Sequence, residues 1–265
     1  LDPEGRKKEA EQLGLPIMQT LSYRDGDHDA YLRDTAGVPS FSLPYSLTTA
    51  EYVGMMDPMM LDSNEHGEMV TMPEQADAIV GKAINLVHLQ RTPNAEKKVA
   101  LFFWNHPPGE KNQGASNLNV PRSIVALSQR MKSDGYTIRD VTEDDVTDAV
   151  AAMQRPAYRK GVLAELAMSR NAAFLPLATY KKWFATLPVA KQKEIVDFWG
   201  APEKSPWVIK RAGEPAFVIP RYEVGNLLVM PQPMRGETAN EDEKKLYHDT
   251  KIPLNHFYMA TYLWA

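Results

Sequence analysis

Six histidines carry most of the acid–base and metal-ligand chemistry open to this chain: His28, His66, His88, His106, His248 and His256. Cysteine is absent, which removes disulfides, thiolate catalysis, zinc knuckles and iron–sulfur clusters. No two histidines stand three or four positions apart and there is no His-Glu-x-x-His, so a metal site on one helix face is excluded. On an unbroken helix His248 and His256 would be about 12 Å apart, too far to share an ion. Pro253 interrupts that segment, so a shared site stays open. His256 is the sharper candidate. With Asn255 as N-cap, it falls in the first turn of a helix, where the positive end of the dipole disfavours imidazolium. A neutral imidazole is what a metal ligand or proton acceptor must be. The plainer reading of His256 is a surface or satisfied structural histidine. That plainer reading is preferred for His28, His66 and His88.

Two polar loops are the other places for chemistry, residues 105–119 and 231–245. Each follows an apolar strand, and open α/β sheets bind ligands beyond the carboxyl ends of their strands. The first loop, which contains Asn105 and His106, runs into a helix start whose unpaired N–H groups would attract an anion. Gly109 and Gly114 permit close backbone approach. They are followed by Ala115-Ser116 rather than Lys-Ser/Thr, so this is no nucleotide P-loop. A solvated loop without a ligand is the bland alternative. No Gly-x-Ser-x-Gly elbow is present, and Asp144-Asp145 reads as helix-start charge.

The elements that must position these residues follow from pattern. At about 150 residues per domain, 265 residues predict two domains, and Thr92-Pro93-Asn94 is the best boundary, giving 1–93 and 94–265. A helix up to Leu13 is closed by Gly14, with a short strand after it. Residues 22–72 read as loop-rich, their methionine pairs filling irregular core. Pro73 starts a helix whose apolar stripe is Ala76, Val80, Ala83 and Val87. Val99–Trp104 is a continuous apolar run of the kind buried in a parallel sheet. Val120, Ile124, Leu127 and Met131 mark the buried face of the next helix. Tyr136–Arg139 reads as a strand, and Thr142 caps a helix with an acidic first turn. Residues 157–199 read as helical, broken at Pro176 and Pro188, with Trp183, Phe184, Phe198 and Trp199 as core. Residues 217–219 and 226–230 read as strands, and a last helix starts near Asn255. The fold class expected is α/β: a doubly wound, mostly parallel sheet flanked by helices, preceded by part of another α/β domain.

Composition narrows the partners. Thirty basic residues against 34 acidic give a net charge of −4, which disfavours nucleic acid. No apolar stretch approaches the ~20 residues of a membrane span. The charged opening, Leu1 to Lys8, carries no secretory pattern. A cytoplasmic protein is expected. Both ends read as cut, so a fragment of a longer protein is expected.

Three blocks resemble a known family. They are Lys97-Lys-Val-Ala-Leu-Phe-Phe-Trp-Asn-His-Pro-Pro-Gly109 with Gly114-Ala-Ser-Asn-Leu-Asn-Val-Pro-Arg-Ser123; Gly225-Asn-Leu-Leu-Val-Met-Pro-Gln-Pro233 with Leu246-Tyr-His-Asp249; and Ile252-Pro-Leu-Asn-His-Phe-Tyr-Met-Ala-Thr-Tyr-Leu-Trp264. In that order they resemble the large-subunit family of ATP-dependent tetrapyrrole metal chelatases, the CobN-type cobaltochelatase and the H-type magnesium chelatase. A weaker match covers Leu13-Gly-Leu-Pro-Ile17 and Glu51-Tyr-Val-Gly-Met-Met-Asp-Pro58. The Asn-x-Pro-Pro-Gly form is closer to the cobalt type. Two departures bear on specificity: Ala50 stands where the family usually has proline, and Leu254-Asn255 precede His256 where it often has Pro or His. A Gly-Thr-His-Gly motif that follows the third block in the family lies beyond Ala265.

The resemblance implies a fragment inserting Co²⁺ into a corrin precursor, hydrogenobyrinate a,c-diamide, for cobalamin biosynthesis. The divalent metal is a substrate. ATP is bound by partners, an AAA+ motor subunit and its bridging subunit, and the fragment alone is expected to be inactive. His256 is assigned to catalysis and metal, His248 to metal, and Asn226, Gln232, Asn105 and His106 to the tetrapyrrole. Two rivals stand beside it. One is magnesium chelatase acting on protoporphyrin IX. The other is a non-catalytic tetrapyrrole- or metal-binding, or subunit-docking, domain.

Overall fold

The computed structural model describes residues 2–34, 38, 40–105, 109–110, 112–237, 246, 249 and 251–265. The chain divides into two compact units, residues 1–93 and 94–265.

The first unit begins with α1 (Pro3–Leu13), capped by the Asp2 carboxylate, which accepts from the Gly5 N–H at 3.0 Å, and closed by Gly14 at φ 59°. It continues through β1 (Ile17–Tyr23), α2 (His28–Arg33), α3 (Thr49–Tyr52), β2 (Met55–Glu65), β3 (Glu68–Thr71) and α4 (Pro73–Arg91). β2 is the middle strand, parallel to β1 and antiparallel to β3. The loop-rich reading of 22–72 therefore missed β2, which contains both methionine pairs. Pro58 and a positive φ at Asp57 interrupt its alternation, and its register against β1 slips there. α4 forms as expected but presents a different side to the sheet. Ala76, Ile79, Lys82 and Leu86 are partly buried, and Lys82 pairs with Asp57 of β2 at 2.9 Å. Val80, from the expected stripe, is 57% exposed.

The second unit runs β4 (Val99–Phe103), β5 (Gly114–Ala115), β6 (Leu118–Asn119), α5 (Val120–Ser133), α6 (Glu143–Tyr158), α7 (Leu163–Met168), β7 (Ala172–Pro176), α8 (Leu177–Phe184), α9 (Val189–Trp199), β8 (Val208–Arg211), β9 (Glu214–Pro220), β10 (Tyr222–Val224), β11 (Leu227–Pro231) and α10 (His256–Trp264). In one sheet β11 lies between β4, to which it is parallel, and β10, to which it is antiparallel. In another, β9 lies between β7 and β8 with both pairings antiparallel. Sheets flanked by helices make this the expected α/β class, but the described pairings are mostly antiparallel, only β1–β2 and β4–β11 being parallel, rather than those of a mostly parallel sheet. Its core is built from Val146, Val150 and Met153 of α6 together with Phe217, Val218, Ile219, Leu227, Val229 and Met230, all withdrawn from solvent. The Phe257 ring of α10 stacks on Trp207 at 3.8 Å.

Three local expectations are corrected. Tyr136–Arg139 is not a strand; its backbone serves as a docking rail, with the Thr137 carbonyl accepting the Asn226 N–H at 2.8 Å. Residues 172–176 are strand, not helix, because the small Ala172-Ala173 pair admits close pairing with β9. Leu127 and Phe198 are exposed rather than core. The caps behave as read. At α6 the Thr142 hydroxyl oxygen accepts from the Asp145 N–H, while the Asp145 carboxylate accepts from the Thr142 N–H at 2.9 Å. These bonds hold the Asp145 carboxyl below its usual range. Thr142→Ala is expected to cost about 1 kcal/mol in urea unfolding. Among the described residues no helix is long and apolar enough to cross a membrane.

Candidate functional site

β4 and β11 are parallel neighbours in register from Val99↔Leu227 to Phe103↔Pro231. Their carboxyl ends therefore lie side by side, and both candidate loops leave the sheet from this one edge. The pairing extends one step further, because the Gln232 N–H donates to the Phe103 carbonyl at 2.9 Å.

Gln232 is held by the last helix. Its Nε2 donates to the Tyr258 hydroxyl at 2.9 Å, and its Oε1 accepts from the Tyr262 hydroxyl at 2.7 Å. One Nε2 hydrogen stays without an acceptor among the described residues. Tyr262 stacks on Phe102 of β4 with centroids 4.8 Å apart and planes 11° from parallel. Burial and the neighbouring Tyr262 raise the Tyr258 hydroxyl above the usual phenol range. Neither tyrosine was singled out in the sequence. Their spacing of four positions on a helix, which puts both on one face, was the available signal.

Asn105 lies at the end of β4. Its Nδ2 donates to the Gly109 carbonyl at 3.0 Å and to the Tyr158 hydroxyl at 3.3 Å, and the Gly109 N–H donates to the same hydroxyl at 2.9 Å. The buried Asn105 Oδ1 has no hydrogen-bond partner among the described residues. Glu110 reaches Arg159 at 2.8 Å and Arg155 at 3.7 Å. The last turn of α6 thus holds the base of the first loop. The start of α5 is occupied from within: Asn119 Oδ1 accepts from the Arg122 N–H at 3.0 Å. The expected anion attraction there loses its donor to this cap. His106 and His248 lie outside the described residues.

Asn226 is placed away from the carboxyl edge, at the opposite end of β11. Its Nδ2 donates to the Ala95 carbonyl at 2.9 Å, its N–H to the Thr137 carbonyl, and its own carbonyl accepts from the Val99 N–H at 2.9 Å. This is a turn residue stitching three segments together. Its expected tetrapyrrole contact is not supported at the carboxyl edge, since it stands at the other end of β11 and its side-chain amide N–H is spent on the Ala95 carbonyl.

His256 is also corrected. It is the first residue of α10, as expected, but its accessible surface is 0%. Nε2 lies 2.9 Å from the Gly200 carbonyl oxygen and Nδ1 lies 2.7 Å from the Tyr180 hydroxyl. A carbonyl can only accept, so Nε2 carries the proton and Nδ1 accepts from tyrosine. Burial lowers its pKa, against smaller raising effects from the Gly200 carbonyl and Glu203. Burial likewise pushes the Tyr180 hydroxyl up, so it remains a donor. Tyr180 and Phe184 meet the imidazole edge-on. The ring is neutral, as expected, but through burial rather than the helix start, and both nitrogens are engaged and walled in. In this geometry it ligates no ion and takes no substrate proton. Among the described residues, no three His, Cys, Asp or Glu side chains gather to hold an ion.

Asn255, read from sequence as a cap only, does more. Its Oδ1 accepts from the Tyr258 N–H at 2.7 Å, while its Nδ2 donates to the carbonyls of Met234 at 3.1 Å and Arg235 at 3.0 Å. With Gln232, it fastens the segment after β11 to α10.

Known proteins resemble this chain along nearly its full length. The family model for CobN/magnesium chelatase matches residues 2–265. The CobN subunit of aerobic cobaltochelatase from Sinorhizobium sp is 28% identical over 68% of this chain and 13% of its own length. The H-type magnesium-chelatase subunit of Chlorobaculum parvum is 25% identical over 86% of this chain and 17% of its own. The solved catalytic subunit of cobaltochelatase from Mycobacterium tuberculosis superposes with a TM-score of 0.74 at 26% identity, covering 94% of this chain and 20% of that one. The chain thus spans a fifth or less of the length of these relatives. Matched from residue 2 to its end, the chain belongs to the CobN/magnesium chelatase family.

Proposed function

We propose that this chain is the portion of a cobaltochelatase large subunit that lines one side of the tetrapyrrole site, at the joint carboxyl edge of β4 and β11. The observation that carries the reading is that edge. Two neighbouring parallel strands deliver Asn105, with a buried oxygen lacking a partner among the described residues, and Gln232, with a spare amide hydrogen, to one end of one sheet. Amides of this kind suit the peripheral carboxylate and amide groups of a corrin precursor.

The reaction exchanges a divalent ion for the two inner N–H protons of a closed macrocycle. Two protons must leave and the ion must shed water. The edge described here binds and orients the ring; the groups that take the protons are assigned to parts of the protein outside these residues or to His106 and His248. The ion is a substrate, and imidazole suits Co²⁺ as carboxylate suits Mg²⁺. ATP is hydrolysed by an AAA+ motor with its bridging subunit, in the cytoplasm, and the 265-residue chain alone binds without inserting. Cobalt is favoured over magnesium by the Asn-x-Pro-Pro-Gly run at 105–109 and by the cobaltochelatase structure the chain resembles.

The test is a titration of the complete subunit, with motor subunits and ATP, followed by absorbance. Co²⁺ insertion into hydrogenobyrinate a,c-diamide is expected. Insertion of Mg²⁺ into protoporphyrin IX instead would move the protein to the magnesium type. Binding without insertion would make it a carrier, and no binding a docking domain. Gln232→Ala is expected to raise the apparent Kd for the tetrapyrrole about tenfold, consistent with one hydrogen bond to a charged group.

A further inference from the structure

Resting on that reading, we infer that Trp104 and Tyr262 form an aromatic ledge at the β4/β11 edge on which the flat face of the macrocycle lies. Trp104 follows Phe102 at the two-residue period that returns a strand to the same face. Phe102 backs Tyr262 in a near-parallel stack. Gln232 continues β11 beside them and is clasped by Tyr258 and Tyr262. Rings and amide thus share one edge of one sheet.

Two observations separate this group from ordinary core aromatics. Trp104 is 38% exposed and Tyr262 47% exposed, while Tyr180, Phe184, Trp207, Phe217 and Phe257 are buried. The Tyr262 ring is also supported: it is fixed by the stack on Phe102, by a second stack with Tyr258 at 5.3 Å and by its bond to Gln232. A ring already immobilised loses little entropy when a ligand stacks on it. An extended conjugated ring offers the complementary flat surface, and its peripheral carboxylate or amide can meet the spare N–H of Gln232. A free acid would use the amide and leave the rings idle, so the ledge fits an extended conjugated ring that carries peripheral carboxylate or amide groups.

The experiment is equilibrium binding of protoporphyrin IX and of hydrogenobyrinate a,c-diamide to the intact 265-residue chain, read by ligand absorbance and tryptophan quenching. Trp104→Ala and Tyr262→Ala are each expected to weaken binding about tenfold, and Trp104→Phe by less than about threefold, in line with the worth of one aromatic stack. Phe198→Ala, at an exposed ring of α9 outside the ledge, should bind like the unaltered chain. Binding is compared at a temperature where circular dichroism shows every variant folded, because Tyr262→Ala also removes two stacks and the bond to Gln232. Binding by the unaltered chain with Trp104→Ala and Tyr262→Ala within twofold of it would overturn the ledge and spare the reading it rests on. Equal weakening by Phe198→Ala would show unspecific adsorption and also overturn it. Failure of the unaltered chain to bind either ligand would remove the reading and the ledge together.

Discussion

His256→Ala is expected to destabilise the protein by about 3–5 kcal/mol, the sum of a core cavity and two abandoned hydrogen-bond partners. The imidazole is withdrawn from solvent. Its loss leaves the Tyr180 hydroxyl without its acceptor and the Gly200 carbonyl without its donor. It also unpins the start of α10 from α8 and the end of α9. Urea unfolding followed by circular dichroism measures the change. The pH dependence carries a second signature. Burial holds the folded pKa of His256 below its ordinary 6.5, so the unfolded chain takes up this proton first as pH falls. The stabilisation is therefore complete above pH 6.5 and is lost progressively as pH drops below it. Asp145 and Glu203 also have lowered values, but their ordinary pKa values are 3.8 and 4.5, so of these three groups His256 governs the interval just below pH 6.5. In His256→Ala the fall in stability across that interval should shrink. A variant as stable as the unaltered protein, with the same acid slope, would refute the pin and reopen the imidazole for chemistry.

Gly225→Ala is expected to cost about 3 kcal/mol or more, and Gly225→Val to abolish soluble expression. A Cβ at Gly225 would sit 2.3 Å from the Thr137 carbonyl oxygen and 3.1 Å from the Ile138 Cα. Those atoms are backbone and cannot swing aside. The φ of 71° adds the strain of a left-handed side chain, about 1–2 kcal/mol. The residue next to it, Asn226, ties β11 to the 137 segment and to β4. Relief of the clash must stretch those bonds. Gly213→Ala is the matched control: its φ is 89° with nothing within 4 Å, so it should cost only the strain. Equal losses at the two positions would show that close approach is not what requires glycine at 225.

These two positions also show what pattern could and could not disclose. Cap chemistry is local, so Thr142 and Asn255 declared their helices in the sequence, and the unbroken apolar run before Trp104 declared a buried parallel strand. The place of His256 in the first helical turn was legible for the same reason, but the burial that lowers its pKa comes from packing distant in sequence. Its two partners are Tyr180 and Gly200, far away along the chain, and nothing in the sequence near His256 points to them. The difference between a ligand and a pin was therefore invisible. β2 was hidden by Pro58 and the irregular backbone at Asp57, which destroy the alternation a strand reading depends on. In α4 the period was right and the covered side was not, because the helix bears apolar residues on more than one side and only the sheet chooses between them. At the candidate site, Gln232 could be placed from the strand before it. Tyr258 and Tyr262 could be paired only once α10 was laid against β4.

The parallel pairing of Val99 with Leu227 has a bearing on biogenesis. β4 is made early in the second unit and its neighbour near the end, with β5 through β10 between them. Closing so long a loop is entropically slow. A ribosome-bound intermediate that has emerged only as far as β9 holds the first half of the edge with no second half beside it, and so should leave a pigment uncaptured.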